Sequence, residues 1–137
     1  MSNTGRRIYA VLAALAVAWT IVFLIETLAN RMAPLPPGVN PLDSDQLKRA
    51  LEAGEIPFSS LALVLGGWLL GAYAGGTVAA RLGGPGKAAL VFTMLFTTVV
   101  VVNLLALPHP IWMWIGGCLG VPLLALGAAG DSITIRR

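Results

Sequence analysis

The stretch LALVLGGWLLGAYAGGTVAA, residues 61–80, decides the fold of this chain. It carries no charge and has about the 20 residues that an α-helix needs to cross a ~30 Å hydrocarbon layer. Because the bilayer interior offers no water to backbone polar groups, such a stretch must satisfy its own hydrogen bonds as a helix. Three further stretches are similar, which gives four candidate spans at about 8–28, 59–80, 88–107 and 111–130. The sequence predicts an all-α polytopic membrane protein with four transmembrane helices in an antiparallel bundle.

The composition excludes a soluble fold. Hydrophobic residues make up 57% of the chain and charged residues 11%, whereas roughly a quarter of the residues in soluble domains are charged. The segments between the spans are too short for a separate aqueous domain, so we expect residues 1–137 to form one membrane domain. The basic residues behind the net charge of +3 are dispersed along the chain. This pattern indicates contact with the lipid bilayer and argues against nucleic acid as a partner.

The distribution of Lys and Arg predicts the orientation of the spans. If the chain alternates sides, one side receives Arg6, Arg7, Arg81, Lys87, Arg136 and Arg137, and the other receives Arg31, Lys48 and Arg49. The positive-inside rule then places both termini in the cytoplasm, at a bacterial inner membrane. We expect Trp112 and Trp114 to anchor the fourth span at the outer interface. The first span exceeds the usual signal-peptide core and lacks a small-x-small cleavage site, so we expect it to be retained.

The outer loop, residues 29–58, contains one predicted amphipathic helix. The loop opens with a proline-rich stretch that disfavours helix. Asp43 followed by Gln46 resembles a capping box and predicts a short helix over 44–53. The apolar residues Leu47, Ala50 and Leu51 share one face of this helix. The helix is expected to lie on the outer membrane surface or to cap the bundle, either as a connector or as a lid. The inner loop, 81–87, is interpreted as a tight turn that contacts lipid phosphates.

Small residues recur at four-residue spacing in the second and fourth spans. They are Gly67, Gly71, Gly75 and Ala79, followed by Gly116 and Gly120. Since lipid tails provide no hydrophobic drive between helices, such rows permit close backbone approach. Two interpretations stay open, namely packing inside the bundle and a seam for a second copy or for another protein's helix. In the third span, Thr93, Thr97 and Thr98 are expected to bond back to carbonyls of their own helix.

Four polar residues near the outer ends of the spans are candidates for a proton or ligand site. Glu26 is the one charged residue inside an otherwise apolar helix, and Asn30 follows it one turn later. Asn103 lies in the outer half of the third span, where we expect it either to form a hydrogen bond between helices or to line a pore. His109 lies between two prolines. An unpaired carboxylate in the membrane is costly, so Glu26 is expected to bind a proton or ligand or to tie the first helix to the outer loop. Its candidate partners are Arg31, Lys48, Arg49 and His109.

No residue pattern in the sequence indicates a reaction. The chain has one His and one Cys, Cys118, and lacks the paired carboxylates or the Ser/His/Asp set that hydrolytic chemistry requires. We therefore expect no enzymatic activity, no cofactor and no metal.

Several motifs together resemble a known group of proteins. They are the run Glu26…Pro34-x-Pro36-Pro37-Gly38…Pro41, the glycine row ending in Ala79-Ala80-Arg81-Leu82, and Leu107-Pro108-His109-Pro110-x-Trp112. Nearly the full chain resembles small four-helix bacterial inner-membrane proteins that are uncharacterised and have no assigned activity. The resemblance implies the four-helix architecture alone.

The sequence favours two functions of different classes. The first is a small non-enzymatic membrane protein that acts through helix contacts, as a homo-oligomer or as an accessory subunit of a larger membrane complex. The second is a small oligomeric transporter or channel with a Glu26/His109 site near the outer face. The inner halves of the spans offer almost no polar group to line a pathway for ions or solutes, which argues against the transporter or channel function.

Overall fold

The computed structural model describes residues 2–84 and 86–134, which contain six α-helices, one π-helical turn and no strand. The elements are α1 (Asn3–Met32), α2 (Ser44–Glu52), α3 (Phe58–Gly83), α4 (Lys87–Ala106), α5 (Ile111–Ile115), the π turn (Gly116–Gly120) and α6 (Val121–Thr134). Four helices are long and apolar enough to cross a membrane: α1, α3, α4 and the continuous α5–α6 helix, Ile111–Asp131. The prediction of an all-helical chain with four candidate spans is confirmed.

The helices extend beyond the apolar stretches that predicted them. The first begins at Asn3, because the Ser2 hydroxyl caps it by accepting a hydrogen bond from the Gly5 N–H at 3.1 Å. The third ends at Gly83, and a turn leads into α4, which begins at Lys87. Gly84 and Gly86 in this turn have φ values of +81° and +99°, a region that favours glycine.

Helix α3 lies at the centre of the bundle. It packs against α1, α4 and α6, while α4 also contacts α1 and α6. Half of the side chains in the main core cluster are alanines, and the rings of Phe92 and Phe96 in α4 stack with centroids 5.5 Å apart. Where alanines and glycines meet, the helix backbones come very close together.

The predicted glycine rows face other helices of the same chain. A Cβ at Gly67 would stand 3.3 Å from the Ile25 side chain, and one at Gly71 would stand 3.1 Å from the Ala18 carbonyl oxygen of α1. Three further contacts complete the set: Gly75 lies on the Phe92 ring, Gly116 on Leu65 and Gly120 on Leu69. Ala79 is fully buried. The row residues are thus occupied inside the chain, and an oligomeric seam stays a prediction about other surfaces.

The π turn in the fourth long helix has a clear cause in the sequence. Pro122 has no N–H to donate to the carbonyl of Cys118, and its ring would collide with that carbonyl in a regular α-helix. The backbone widens by one residue instead, so that the Val121 N–H donates to the Gly116 carbonyl. This turn was missed at the sequence level because Pro122 lies within an unbroken apolar run.

The threonines of α4 divide into two kinds. The Thr93 hydroxyl donates to the Ala89 carbonyl at 2.8 Å, and the Thr98 hydroxyl donates to the Met94 carbonyl at 2.8 Å. The Thr97 hydroxyl is buried and has no hydrogen-bond partner among the described residues. The expectation of back-bonding is therefore confirmed for two of these threonines and wrong for Thr97.

Candidate functional site

A cavity of about 330 Å³ lies beneath α2, between the ends of α1, α3 and α4. We call it the α2 cavity. Most of its wall is aliphatic, contributed by Ala29, Ala33, Leu35, Leu47, Leu51, Ile56, Leu61, Val64 and Leu107. Its polar groups come from separate parts of the chain. The cavity therefore combines a mostly aliphatic wall with polar side chains from several elements.

All four predicted site residues line this cavity. Glu26 and Asn30 come from α1, Asn103 from α4, and His109 from the connection between α4 and α5. Glu26, Asn103 and His109 are partly buried, whereas Asn30 is more exposed. The structure thus brings together residues that the sequence identified separately. That they bind a proton or a ligand stays a prediction.

The Glu26 carboxyl and the indole of Trp68 are neighbours in the wall of the cavity. The Trp68 indole is close enough to interact with this carboxyl, and no basic side chain of the described residues forms an ion pair with it. The candidate partners Arg31, Lys48 and Arg49 do not line the cavity. Because an indole nitrogen donates a single hydrogen bond, the carboxyl keeps most of its acceptor positions for another group.

The ring of His109 is held in one orientation. Its Nδ1 lies 2.8 Å from the Leu107 carbonyl oxygen. Since a carbonyl only accepts, Nδ1 carries the hydrogen, and Nε2 of the neutral ring is an acceptor. The His109 and Trp68 rings lie with centroids 5.8 Å apart at 57°. Glu26 and His109 therefore both contact Trp68 and present acceptor atoms to one cavity.

Helix α2 covers the cavity through two leucines. Leu47 and Leu51 line it, whereas the α2 backbone does not pack closely on the spanning helices. The predicted helix over 44–53 is confirmed at Ser44–Glu52. Asp43 caps it by accepting hydrogen bonds from the N–H groups of Asp45 and Gln46 at 3.0 and 3.1 Å.

The Gln46 amide holds the loop onto α2. Its Oε1 accepts from the Asn40 N–H at 2.9 Å, and its Nε2 donates to Oδ2 of Asp43 at 2.8 Å. This pattern differs from a capping box, in which the glutamine would return to the N-cap backbone. The glutamine instead links the proline-rich segment to the start of α2.

Sequence reasoning missed the contribution of α3 to the cavity. Neither Trp68 nor Ser60 was among the predicted site residues, yet both line the wall together with Val64, and Trp68 is also a buried core residue. These residues are spaced at i, i+4 and i+8 and share one helix face. A helical-wheel projection of α3 would have placed these residues on one face.

The predicted interface anchors lie at both ends of the bundle. Arg6 and Arg7 begin α1, Arg81 lies in the last turn of α3, and Lys87 begins α4. At the opposite end Trp112 and Trp114 lie in α5, where the Trp112 ring contacts Phe58 with centroids 5.1 Å apart. Arg136 and Arg137 lie outside the described residues.

Within the described residues no three His, Cys, Asp or Glu side chains are grouped closely enough to hold a metal ion. The cavity offers several acceptors, namely the Glu26 carboxylate, Nε2 of His109 and the amide oxygens of Asn30 and Asn103, beside the N–H donors of the two asparagines and the Ser60 hydroxyl. These acceptors match a hydrogen-bond donor, and a cationic one best. No family model, curated protein or solved structure matches the chain.

Proposed function

We propose that this chain is a non-enzymatic integral membrane protein that binds a small amphipathic amine in the α2 cavity. The observation that carries the proposal is the unpaired carboxyl of Glu26 in an apolar-walled cavity. A primary ammonium group supplies three donors for Glu26, His109 and an asparagine oxygen, and its apolar body fits against the leucines of the wall. The Trp68 indole adds an aromatic face that attracts a cation.

The proposal includes the placement of the chain in a bacterial inner membrane. Four long helices with apolar exposed faces support it, as does the excess of basic residues at the end opposite α2. Gly67 of α3 meets Ile25 of α1, while Gly83, further along α3, meets Ala10, earlier in α1. This order of contacts supports antiparallel helices. With both termini cytoplasmic, the α2 cavity opens on the outer side.

The binding role is favoured over conduction. The polar groups of the cavity lie at one end of the bundle, and the core between them and the other end is filled by residues such as Phe92, Phe96 and alanines. A pathway for ions or solutes requires polar groups through the depth of the membrane. The α2 cavity is therefore proposed as a capture site and not as the mouth of a channel.

The test compares 2-phenylethylamine with 2-phenylethanol, which has a similar shape and no charge at neutral pH. Calorimetric titration is made with the protein in lipid nanodiscs, for the wild type, Glu26→Gln and the matched control Glu52→Gln, whose residue does not line the cavity. We expect saturable amine binding, at least about tenfold weaker binding of the alcohol, and a loss of at least about tenfold in Glu26→Gln alone. Equal amine affinity in all three proteins would refute the proposal, as would the absence of saturable amine binding to the wild type.

A second function, assembly with another copy or with an accessory partner through helix contacts, is favoured by one open groove. The groove lies between α1 and α3 and is lined by Ser59, Ala62 and Gly66 together with larger apolar residues. Among the described residues, no atom outside the neighbouring backbone of α3 lies within 4 Å of a Cβ placed at Gly66, unlike at the adjacent Gly67. Small residues at this spacing permit close approach of another helix.

Native mass spectrometry of gently extracted complexes tests this second function. We expect a defined oligomer, or an unrelated subunit in fixed ratio, that Gly66→Trp dissociates. Gly127→Trp is the control, because Gly127 is equally open but lies on α6. Free monomer at every protein concentration would count against assembly, as would equal dissociation by both variants.

A further inference from the structure

A second groove lies at the end of the bundle opposite α2, between the beginnings of α1 and α4. Its volume is about 320 Å³. Arg7 and Lys87 stand at its edges, and its walls are Ile8, Val11, Leu12, Ala88 and Val91. The groove therefore combines two cations with an apolar trough. None of its residues belongs to the α2 cavity.

The cations of this groove are not neutralised within the described residues. No carboxylate pairs with Arg7 or Lys87, and both side chains are exposed. Arg6 adds a third positive charge, since its guanidinium reaches the turn at Gly84. The acidic residue at this end, Asp131, lies on α6, and α6 does not share the groove. The local field is strongly positive.

The start of α4 strengthens the preference for an anion. No side chain caps this helix end, where Gly86 occupies the N-cap. Its first N–H groups are thus free to meet a negative group beside Lys87, and the helix dipole acts in the same direction. This contribution adds to the three side-chain charges and would not suffice alone.

We infer that this groove binds an anionic phospholipid of the phosphatidylglycerol type. Its phosphate lies between Arg7 and Lys87, and the first part of one acyl chain follows Ile8, Leu12 and Val91. A zwitterionic lipid fits less well because its ammonium group would enter a field made by three cations. The inference needs the proposed membrane placement but is independent of any ligand in the α2 cavity.

The experiment measures lipid retention by native mass spectrometry. Delipidated protein is equilibrated with mixed micelles containing equal amounts of phosphatidylglycerol and phosphatidylcholine. Wild type is compared with Arg7→Gln/Lys87→Gln and with Lys48→Gln/Arg49→Gln, a control with the same charge change at the other end of the bundle. Circular dichroism checks that all three keep the same helix content, as expected for exposed side chains.

We expect the wild type and the control to retain phosphatidylglycerol at least about tenfold over phosphatidylcholine, and the groove variant to lose this preference. Leu12→Ser is expected to lower retention as well, because it removes part of the acyl wall. Equal preference in the groove variant and the wild type would overturn the inference, and so would an equal loss in the control. Displacement of the lipid by millimolar inorganic phosphate would also overturn it, since the groove would then recognise free phosphate.

Discussion

The tightest backbone contact in the bundle joins Gly76 of α3 to Ala125 of α6. A Cβ at position 76 would stand 2.9 Å from both the Cα and the carbonyl carbon of Ala125, and nearer still to its carbonyl oxygen. Ordinary van der Waals contact begins at about 3.4 Å. Because all of these atoms are backbone, no rotamer change relieves the overlap. In Gly76→Ala, α6 must move away from α3 by about 1 Å, which loosens their packing.

The cost of this movement can be worked out against a control in the same helix. Overpacking by one methyl group costs about 1–3 kcal/mol, and a backbone-to-backbone contact belongs at the upper end. Replacing glycine by alanine in a helix recovers about 0.5–1 kcal/mol. We expect a net loss of about 2 kcal/mol in Gly76→Ala. Gly66→Ala has open space around the new methyl group and is expected to stabilise by about 0.5–1 kcal/mol.

The two variants are compared by reversible unfolding with sodium dodecyl sulfate in mixed micelles, followed by circular dichroism. The expected difference in free energy of unfolding is about 3 kcal/mol, roughly a hundredfold in the folding equilibrium constant. A difference below about 0.5 kcal/mol would refute the reasoning, because it would mean that α3 and α6 do not approach at Gly76.

Three further predictions follow from local geometry. Thr97→Val removes a buried unpaired hydroxyl and is expected to stabilise by about 1 kcal/mol, whereas Thr93→Val loses a hydrogen bond and destabilises by about 1 kcal/mol; the same unfolding assay would contradict this if the signs were reversed. Pro122→Ala restores an N–H donor, so we expect the π turn to relax to α-helix and the new amide at 122 to exchange slowly with deuterium; a fast-exchanging amide would argue against proline as the cause. Asp43→Ala removes the cap of α2 at about 1 kcal/mol and should speed amide exchange across that helix about fivefold, while Asp43→Asn keeps the slow rate; unchanged exchange in the alanine variant would contradict a role for the cap.

The features that the sequence predicted well are those set by short-range chemistry. The candidate spans follow from uncharged stretches of sufficient length, and α2 follows from Asp43 and Gln46 at its start. Glu26 and His109 were noticed because each is a rare polar residue in apolar surroundings. Their meeting in one cavity could not be predicted, since it depends on how each helix is rotated in the bundle.

The same limit explains what was misjudged on α3. Four-residue spacing was treated as one row, but the helix surface drifts along such a row. Gly67 and Gly71 face α1, Gly75 faces α4, and the adjacent Gly76 faces α6. That the buried Trp68 also lines the α2 cavity was not predicted. Both points depend on contacts between distant segments, which spacing alone does not specify.

The central position of α3 has a consequence for how the protein is made. Of the four candidate spans α3 is the least hydropathic, yet it has the most extensive contacts with the other three. During synthesis it leaves the ribosome after α1 and before α4 and α6, when only one of its faces has a partner. The groove at Gly76 stays open until α6 has emerged. With the proposed membrane placement, release of α3 from the insertion machinery is expected to wait for the later spans, and a chain stopped before Ala125 is expected to be a substrate for membrane proteases.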